Sequence, residues 1–266
     1  MSLVISKAIK LIDLVAEGLD SLADIAKASA MSRSTTHRLL ATLVEHNYLA
    51  MDAKRYTLGY RLLELGEQKK RSLNFVDALH KVLIQYAERT SDTIHLAVLD
   101  GKDIVLIDRV AGSRQLQIDS FIGQRATACT TAVGKVLIGQ TDPRDWKGYL
   151  HSLPASYPKT RAQLLEEFRT AQLRNYAVDF DECDVGTCGV AASFFAIKNR
   201  LRVACSINGA TVYFRDGRLQ QLIGVVQQMA AEMEQIALQI SPDVGIGSPR
   251  RNDQDAKAAL SSIFSR

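Results

Sequence analysis

One stretch of the chain, residues 21–49, restricts its possible folds more than any other, because it predicts two short helices joined by a tight turn. Ser21, with Asp24 three residues later, has the pattern of a helix start, and Ser32 has the pattern of a second one. From residue 33 to about residue 46, apolar side chains recur at helical spacing on one side. The stretch therefore predicts a helix-turn-helix.

The opposite side of the second helix is basic and rich in hydroxyl groups near its N-terminus. Its candidate DNA-contacting residues are Arg33, Ser34, Thr35, His37 and Arg38. Backbone amides and hydroxyls at a helix start can bind phosphate, and long basic side chains can reach base edges in the major groove. This composition favours double-stranded operator DNA as the partner.

Residues 48–58 read as two short strands around a basic turn, which predicts a wing next to the recognition helix. Lys54 and Arg55 at the tip are candidate contacts to the DNA backbone. A winged helix that packs on a partner protein is the alternative, and the basic tip argues against it.

The distribution of charge along the chain supports DNA binding by the N-terminal region more strongly than the total net charge does. The whole chain of 266 residues has a net charge of only +4, but residues 1–72 hold eleven Lys and Arg against eight Asp and Glu, a net +3. The first residues are too charged for a signal peptide, and no apolar run reaches 18 residues, so we expect a cytoplasmic protein. The N-terminal helix is predicted to face inward with Ile5, Ala8, Ile9, Ile12 and Val15.

The four cysteines, Cys129, Cys183, Cys188 and Cys205, show no metal-binding spacing, so we expect neither a metal nor a cofactor. Cys183 and Cys188 are close enough in sequence to pair, but nothing requires it. An enzyme with Cys129 or Cys188 as nucleophile is a further alternative. It lacks a neighbouring base in the sequence, and we expect no enzymatic activity.

The periodicity divides the chain into four parts: a DNA-binding domain over 1–59, a linker helix over 60–72, a second domain over 73–241 and a loose tail over 242–266. In the second domain, strands that return as hairpins predict an antiparallel α+β fold. The predicted strands are 93–99, 104–107, 116–122, 176–178, 189–197 and 201–207. The predicted helices are 73–89, 130–139, 143–151, 161–174 and 218–240, with a further short one at 255–264.

Several motifs in order resemble the isocitrate lyase regulator (IclR) family of bacterial transcription regulators over about residues 3–240. The motifs are STTHRLL at 34–40, YTLG at 56–59, IG at 122–123, AVGK at 132–135, YAVD at 176–179 and SI at 206–207. The resemblance implies a GAF-like sensor domain, a homodimer or homotetramer, and a small organic acid effector that alters promoter binding. It further implies a repressor, here of a catabolic operon, with an activator as the alternative.

The resemblance also implies effector-binding residues: Ala132, Val133, Asp179, Cys188, Gly189, Ser206 and Asn208. The free amides at the predicted helix start suit a carboxylate, although Thr130 or Thr131 can simply cap an ordinary helix there. Ser206 and Asn208 point to one face of a strand, which is either a ligand contact or a solvated face. Asp179 can touch the ligand or hold the loop 179–189.

Two positions depart from the family pattern. Gly189 stands where many relatives have a cysteine, and Asn208 replaces the usual serine. A glycine would enlarge the cavity, which suggests an effector bulkier than glyoxylate or pyruvate, such as an aromatic or longer-chain acid. His95 lies on a predicted strand and can reach the same cavity.

Overall fold

The computed structural model describes residues 3–197 and 201–240, and the chain divides into two compact units, the first ending at Leu73 and the second beginning at Asn74. The predicted helix at 255–264 and the predicted loose tail lie outside the described residues, as do residues 198–200.

The first unit is a helical bundle with a two-stranded hairpin. Its elements are α1 (Leu3–Ala16), α2 (Leu22–Ser29), α3 (Arg33–Glu45), β1 (Leu49–Asp52), β2 (Arg55–Leu58) and α4 (Tyr60–Arg71). Apolar side chains of α1, α2, α3 and the hairpin form its core, among them Leu11, Ile25, Leu40 and Leu49. The predicted helix-turn-helix and the predicted hairpin are both present.

The inward face predicted for α1 is wrong in its N-terminal half. Ile5 and Ile9 are 62% and 53% exposed, whereas Leu11, Leu14 and Val15 are buried. The reason is that α1 packs on α2, α3 and β2 through its C-terminal turns. Ala8 and Ile12 pack against the edge of that core, whereas Ile5 and Ile9 do not belong to it.

The second unit is built on one antiparallel sheet of six strands, in the order β5-β4-β3-β8-β7-β6. Its strands are β3 (Thr93–Asp100), β4 (Asp103–Val110), β5 (Arg125–Thr127), β6 (Ala177–Phe180), β7 (Thr187–Ile197) and β8 (Leu201–Ala210). Its helices are α5 (Phe75–Thr90), α6 (Ala132–Gly139), α7 (Trp146–Tyr149), α8 (Arg161–Arg174) and α9 (Arg218–Ile240). Helices α5 and α9 cover one face of the sheet, while α6 packs on the other face and α8 packs on α6. The predicted α+β class is confirmed.

The strand predicted at 116–122 is absent, and this correction matters for the site. The edge of β4 is paired instead by Arg125–Thr127, and Gly123, with φ of 92°, turns the chain into that short strand. Leu116, Phe121 and Ile122 are therefore exposed, and residues 118–120 face a cavity in the unit. The helix predicted over 143–151 is reduced to α7 and a 3-10 turn over Leu150–Ser152.

Candidate DNA-binding face and effector cavity

The face predicted to contact DNA is the exposed side of α3. The Oγ of Ser32 accepts a hydrogen bond from the Thr35 amide at 3.2 Å and caps the helix. On the inner side, Thr36, Leu40 and Leu43 are buried. This fixes the orientation of the helix in the unit, so the residues between those positions must point outward.

The predicted contact residues of α3 lie together on that outward side. Arg33, Ser34, His37 and Arg38 are exposed, and Thr35 is half-buried. Ser32 Oγ also lies 3.1 Å from Ser34 Oγ and donates to Thr35 Oγ1 at 2.9 Å. The helix thus begins in a cluster of hydroxyls between two arginines, a surface suited to phosphate oxygens.

The wing is short, and its two basic residues differ in environment. Strands β1 and β2 are joined through Ala53 and Lys54, both with positive φ, as in a two-residue hairpin turn. Lys54 is exposed at the tip. Arg55, by contrast, forms an ion pair with Asp20, whose carbonyl oxygen also accepts the Tyr56 amide at 2.8 Å. Arg55 thus helps to hold the wing against the chain before α2.

Sequence reasoning missed two lysines on α1. Lys7 and Lys10 line a cleft together with Ser32 and Thr35 at the start of α3. The Nζ of Lys10 donates to the carbonyl oxygen of Ser29 at 3.3 Å, which ties it to the end of α2. The charge count of residues 1–72 included both lysines, but only the packing of α1 beside α3 brings them to this face.

The second unit contains a cavity of about 110 Å³ between the sheet, the N-terminus of α6 and the loop before β5. All seven predicted effector residues line it: Ala132, Val133, Asp179, Cys188, Gly189, Ser206 and Asn208. Strand pairing explains how they meet, since Asp179 lies opposite Gly189, and Gly189 lies opposite Asn208. The cavity also includes residues that the sequence did not indicate, among them Ser120, Gln124 and Thr131.

At the α6 end of the cavity, the helix start is capped as one interpretation predicted, and anion binding there stays a prediction. Thr131 caps the helix, because its Oγ1 accepts from the Gly134 amide at 3.0 Å and its carbonyl oxygen accepts from the Lys135 amide at 2.9 Å. The amides of Ala132 and Val133, at the first two helical positions, have no carbonyl of their own helix to bond. They remain available to an anion in the cavity.

Gly134 brings this helix start close to the preceding turn. A Cβ on Gly134 would lie 2.0 Å from the carbonyl oxygen of Ala128, so any side chain would force the helix away. The neighbouring Lys135 is fully buried and donates to the Val178 carbonyl oxygen at 3.0 Å and to the Glu182 carboxylate. The lysine thus anchors α6 to the loop after β6, and it is not a phosphate-binding lysine.

Asp179 has the loop-holding role that was one of its two predicted alternatives. Its Oδ1 accepts from the amides of Glu182 and Cys183 at 3.0 and 3.2 Å, and the side chain lines the cavity as well. Burial raises the pKa of Asp179 to about 6, although those two amides and Lys135 act in the opposite direction. Its charge therefore changes just below neutral pH.

A polar cluster faces α6 across the cavity. The Nδ2 of Asn208 donates to Ser206 Oγ at 2.8 Å and lies 3.2 Å from Nδ1 of His95, whose Nε2 is 2.9 Å from Ser120 Oγ. Burial and, secondly, the Arg109 guanidinium lower the pKa of His95 to about 4, so the ring is neutral near pH 7. Ser206 is fully buried, which excludes the solvated strand face that the sequence left open.

The proposed enlargement of the cavity at Gly189 is wrong. A Cβ at that position would lie only 2.6 Å from Oδ1 of Asn208 and 3.6 Å from Cβ of Ala132. The larger side chain at 208 occupies the space that the glycine leaves, so the two departures from the family pattern compensate each other.

The cysteines give no support to an enzyme. All four are free thiols. Burial raises the pKa of Cys129, and burial and nearby carboxylates raise that of Cys188 to about 12. Both shifts oppose thiolate formation, which a nucleophile requires. Among residues 3–197 and 201–240 there is no group of three His, Cys, Asp or Glu side chains placed to hold a metal.

Two family models match the chain: the IclR helix-turn-helix domain over residues 4–53 and the bacterial transcriptional regulator IclR C-terminal domain over residues 68–235. The chain belongs to the IclR family. It is therefore a transcriptional regulator with a helix-turn-helix DNA-binding domain. The described helices include none with the length and apolar character needed to cross a bilayer.

Relatives match along most of their length. The chain is 30% identical to the HTH-type transcriptional regulator XynR of Escherichia coli K12, over 84% of this chain and 92% of that protein. It is 24% identical to the transcriptional repressor IclR of the same organism, over 86% and 88%. An IclR homologue of Microbacterium hydrocarbonoxydans, solved in complex with 4-hydroxybenzoate, shares the fold at 16% identity, with a TM-score of 0.75 over 88% of this chain and 98% of that one.

Proposed function

We propose that the protein is a repressor of a catabolic operon. Its affinity for operator DNA changes when a small carboxylic acid binds in the second unit. The observation that carries the proposal is the outward face of α3, where hydroxyls and arginines surround a capped helix start. A repressor is supported by the name of one relative, the transcriptional repressor IclR. An activator is the alternative and differs only in the sign of the response.

The effector part of the proposal is supported by the construction of the cavity. One end offers two unused backbone amides on α6, and the other offers neutral polar groups on β3 and β8. Such a site suits one carboxylate in a space of about 110 Å³. Regulation then requires that the acid bind the DNA-competent and DNA-incompetent states with different affinity.

We propose further that two copies act together on a near-palindromic operator. The exposed apolar side chains at the start of α1 support this, because a second copy would bury them; they are Leu3, Val4, Ile5 and Ile9. Two recognition helices in one dimer would meet major grooves separated by about one helical turn, roughly 34–36 Å. A tetramer would pair two such dimers. Because the target is chromosomal DNA, we propose that the protein acts in the cytoplasm.

A gel-shift titration of the chain's own upstream DNA tests the function. We expect sequence-selective retention over random DNA of equal length, with an affinity that falls steeply as salt rises from about 50 to 200 mM. Retention without sequence preference, or no retention at low salt, would contradict DNA-specific regulation. A promoter–reporter fusion in cells with and without the gene then gives the sign, because loss of a repressor raises expression and loss of an activator lowers it.

A further inference from the structure

The hydrogen bonds of the polar cluster opposite α6 assign the two ends of the Asn208 carboxamide. The Thr93 carbonyl oxygen, 3.4 Å from Nδ2 of Asn208, can only accept a hydrogen bond, so the amide nitrogen must occupy that side of the carboxamide. Nδ2 also donates to Ser206 Oγ and faces Nδ1 of His95. Nδ2 has two hydrogens for these three acceptors, so the long contact with Thr93 shares one of them, and no hydrogen bond to Oδ1 is seen among the described residues.

The hydrogen-bonded cluster continues from Asn208 to His95 and Ser120. Because Nδ1 of His95 faces the donor Nδ2 of Asn208, the neutral ring fits as the tautomer with its hydrogen on Nε2, which then donates a hydrogen bond to Ser120 Oγ at 2.9 Å. Ser206 and Ser120 thus each accept one hydrogen bond. Each hydroxyl keeps a proton that it can donate to a molecule in the cavity.

The position of Oδ1 is set by Gly189. That oxygen lies 2.6 Å from the place where a Cβ on Gly189 would be, and Cβ of Ala132 lies 3.6 Å from the same place. The acceptor of Asn208 and the amide end of α6 are thus neighbours across one glycine. Oδ1 therefore lies within about 6 Å of Cβ of Ala132, so a short acid held by the Ala132 and Val133 amides can reach it.

We infer that the effector is a 2- or 3-hydroxy acid, whose carboxylate binds the α6 amides and whose hydroxyl donates to Asn208 Oδ1 and accepts from Ser206 Oγ. The inference rests on the proposed acid effector. A hydroxyl fits because it both donates and accepts. An oxo group offers Asn208 no proton, and a deoxy acid offers nothing to either partner. A second carboxylate would find no Lys or Arg among the residues lining the cavity, and Asp179 is one of them.

Isothermal titration of the full chain with matched acids tests this inference. The probes are lactate, pyruvate and propionate, together with 3-hydroxybutyrate, acetoacetate and butyrate, and malonate as a dicarboxylate. We expect one of the two hydroxy acids to bind about 10- to 100-fold more tightly than its oxo and deoxy counterparts, which is the usual cost of leaving a buried polar partner unmatched. Malonate should bind more weakly still.

Two variants separate a hydroxyl contact from general shape. In Asn208→Ala the acceptor is lost, and the affinity ratio of hydroxy to deoxy acid should fall by about tenfold. In Ser206→Ala the donor is lost, and the ratio should fall by about tenfold. A melting curve of each variant checks that it folds, and if one does not, the wild-type ratios alone decide.

The outcomes distinguish this inference from the proposed function. If pyruvate or propionate binds as tightly as lactate, and the 3-hydroxybutyrate series agrees, the hydroxyl contact is refuted while the carboxylate site stands. If none of the seven acids binds at about 10 mM, a concentration that would detect even weak binding, both the acid site and the hydroxy-acid inference are refuted. The gel shift is read independently of either result.

Discussion

Two helix starts in this protein have the same type of cap but different surroundings. Ser32 caps α3 and Thr131 caps α6, each by accepting the amide three residues later. Around α3 the helix start is exposed and flanked by arginines, whereas around α6 it is buried beside neutral polar groups. A capped helix start therefore provides only a preference for anions. We propose that its surroundings decide whether the anion is a polymer or a small acid.

The surroundings of each helix start set the space for a ligand and the charges that the ligand meets. At α3 nothing limits the size of the ligand, and mobile positive side chains add long-range attraction to a polyanion. At α6 a cavity of about 110 Å³ limits size, and Asp179 adds a charge that works against any anion. The four changes that follow are designed to weaken one helix start at a time.

The largest effect is expected at α3. Replacing Arg33 and Arg38 by alanine should lower operator affinity by about 100-fold or more, because each base-contacting arginine is worth about 1–3 kcal/mol. Fluorescence anisotropy with labelled operator measures this. Arg144→Ala is the matched control, since that arginine is exposed in the second unit and its replacement also removes positive charge. Equal losses of affinity in the two proteins would show that total charge, and not this face, governs binding.

The next effect is expected at α6. Ala132→Pro removes one of the two amides while a proline is well tolerated at the first helical position. Loss of a hydrogen bond to a charged group should weaken acid binding by about 1.5–3 kcal/mol, or roughly 10- to 100-fold. Ala132→Gly keeps the amide and serves as the control in the same titration. Undiminished acid binding by the proline variant would show that the Ala132 amide does not contact the acid.

A smaller effect is expected from the lysines of α1. Replacing Lys7 and Lys10 by glutamine should weaken operator and random DNA alike, by about 3- to 10-fold, because binding to phosphate carries no sequence information. The slope of log affinity against log salt should become shallower by about 1 for each phosphate that a lysine no longer neutralises. Lys102→Gln, on a hairpin turn of the second unit, is the matched control. A selective loss for operator alone would mean that these lysines read bases.

The smallest effect is a pH dependence at the cavity. With the pKa of Asp179 near 6, the group is ionised at pH 7.5 and mostly protonated at pH 5. An acid effector stays anionic over that range, so its affinity should rise about 3- to 10-fold as pH falls from 7.5 to 5, as like-charge repulsion is removed. Asp179→Asn keeps an acceptor for the Glu182 and Cys183 amides and should flatten the profile. A wild-type affinity that is constant with pH would mean that Asp179 does not sense the ligand.

The sequence predicted the features that depend on local spacing. The outward residues of α3 follow from its 3.6-residue period, and the hairpin after it follows from alternating residues around a basic turn. Ordered motifs supplied the family, and through it seven predicted effector residues, all of which line the cavity. Each of these inferences uses neighbours in the chain or a pattern already known to recur.

Other features arose only when distant segments packed. Pairing of β3 with β8 places His95 opposite Ser206, more than a hundred residues later, and the loop at 118–120 closes over them although its sequence reads as a strand. The compensation between Gly189 and Asn208, the pairing of Arg55 with Asp20 and the raised pKa of Asp179 also require three dimensions. By itself the sequence determined that two helix starts can hold anions, because capping is local. Tertiary structure decided what surrounds each helix start, because exposure, cavity size and neighbouring charge come from residues far apart in the chain.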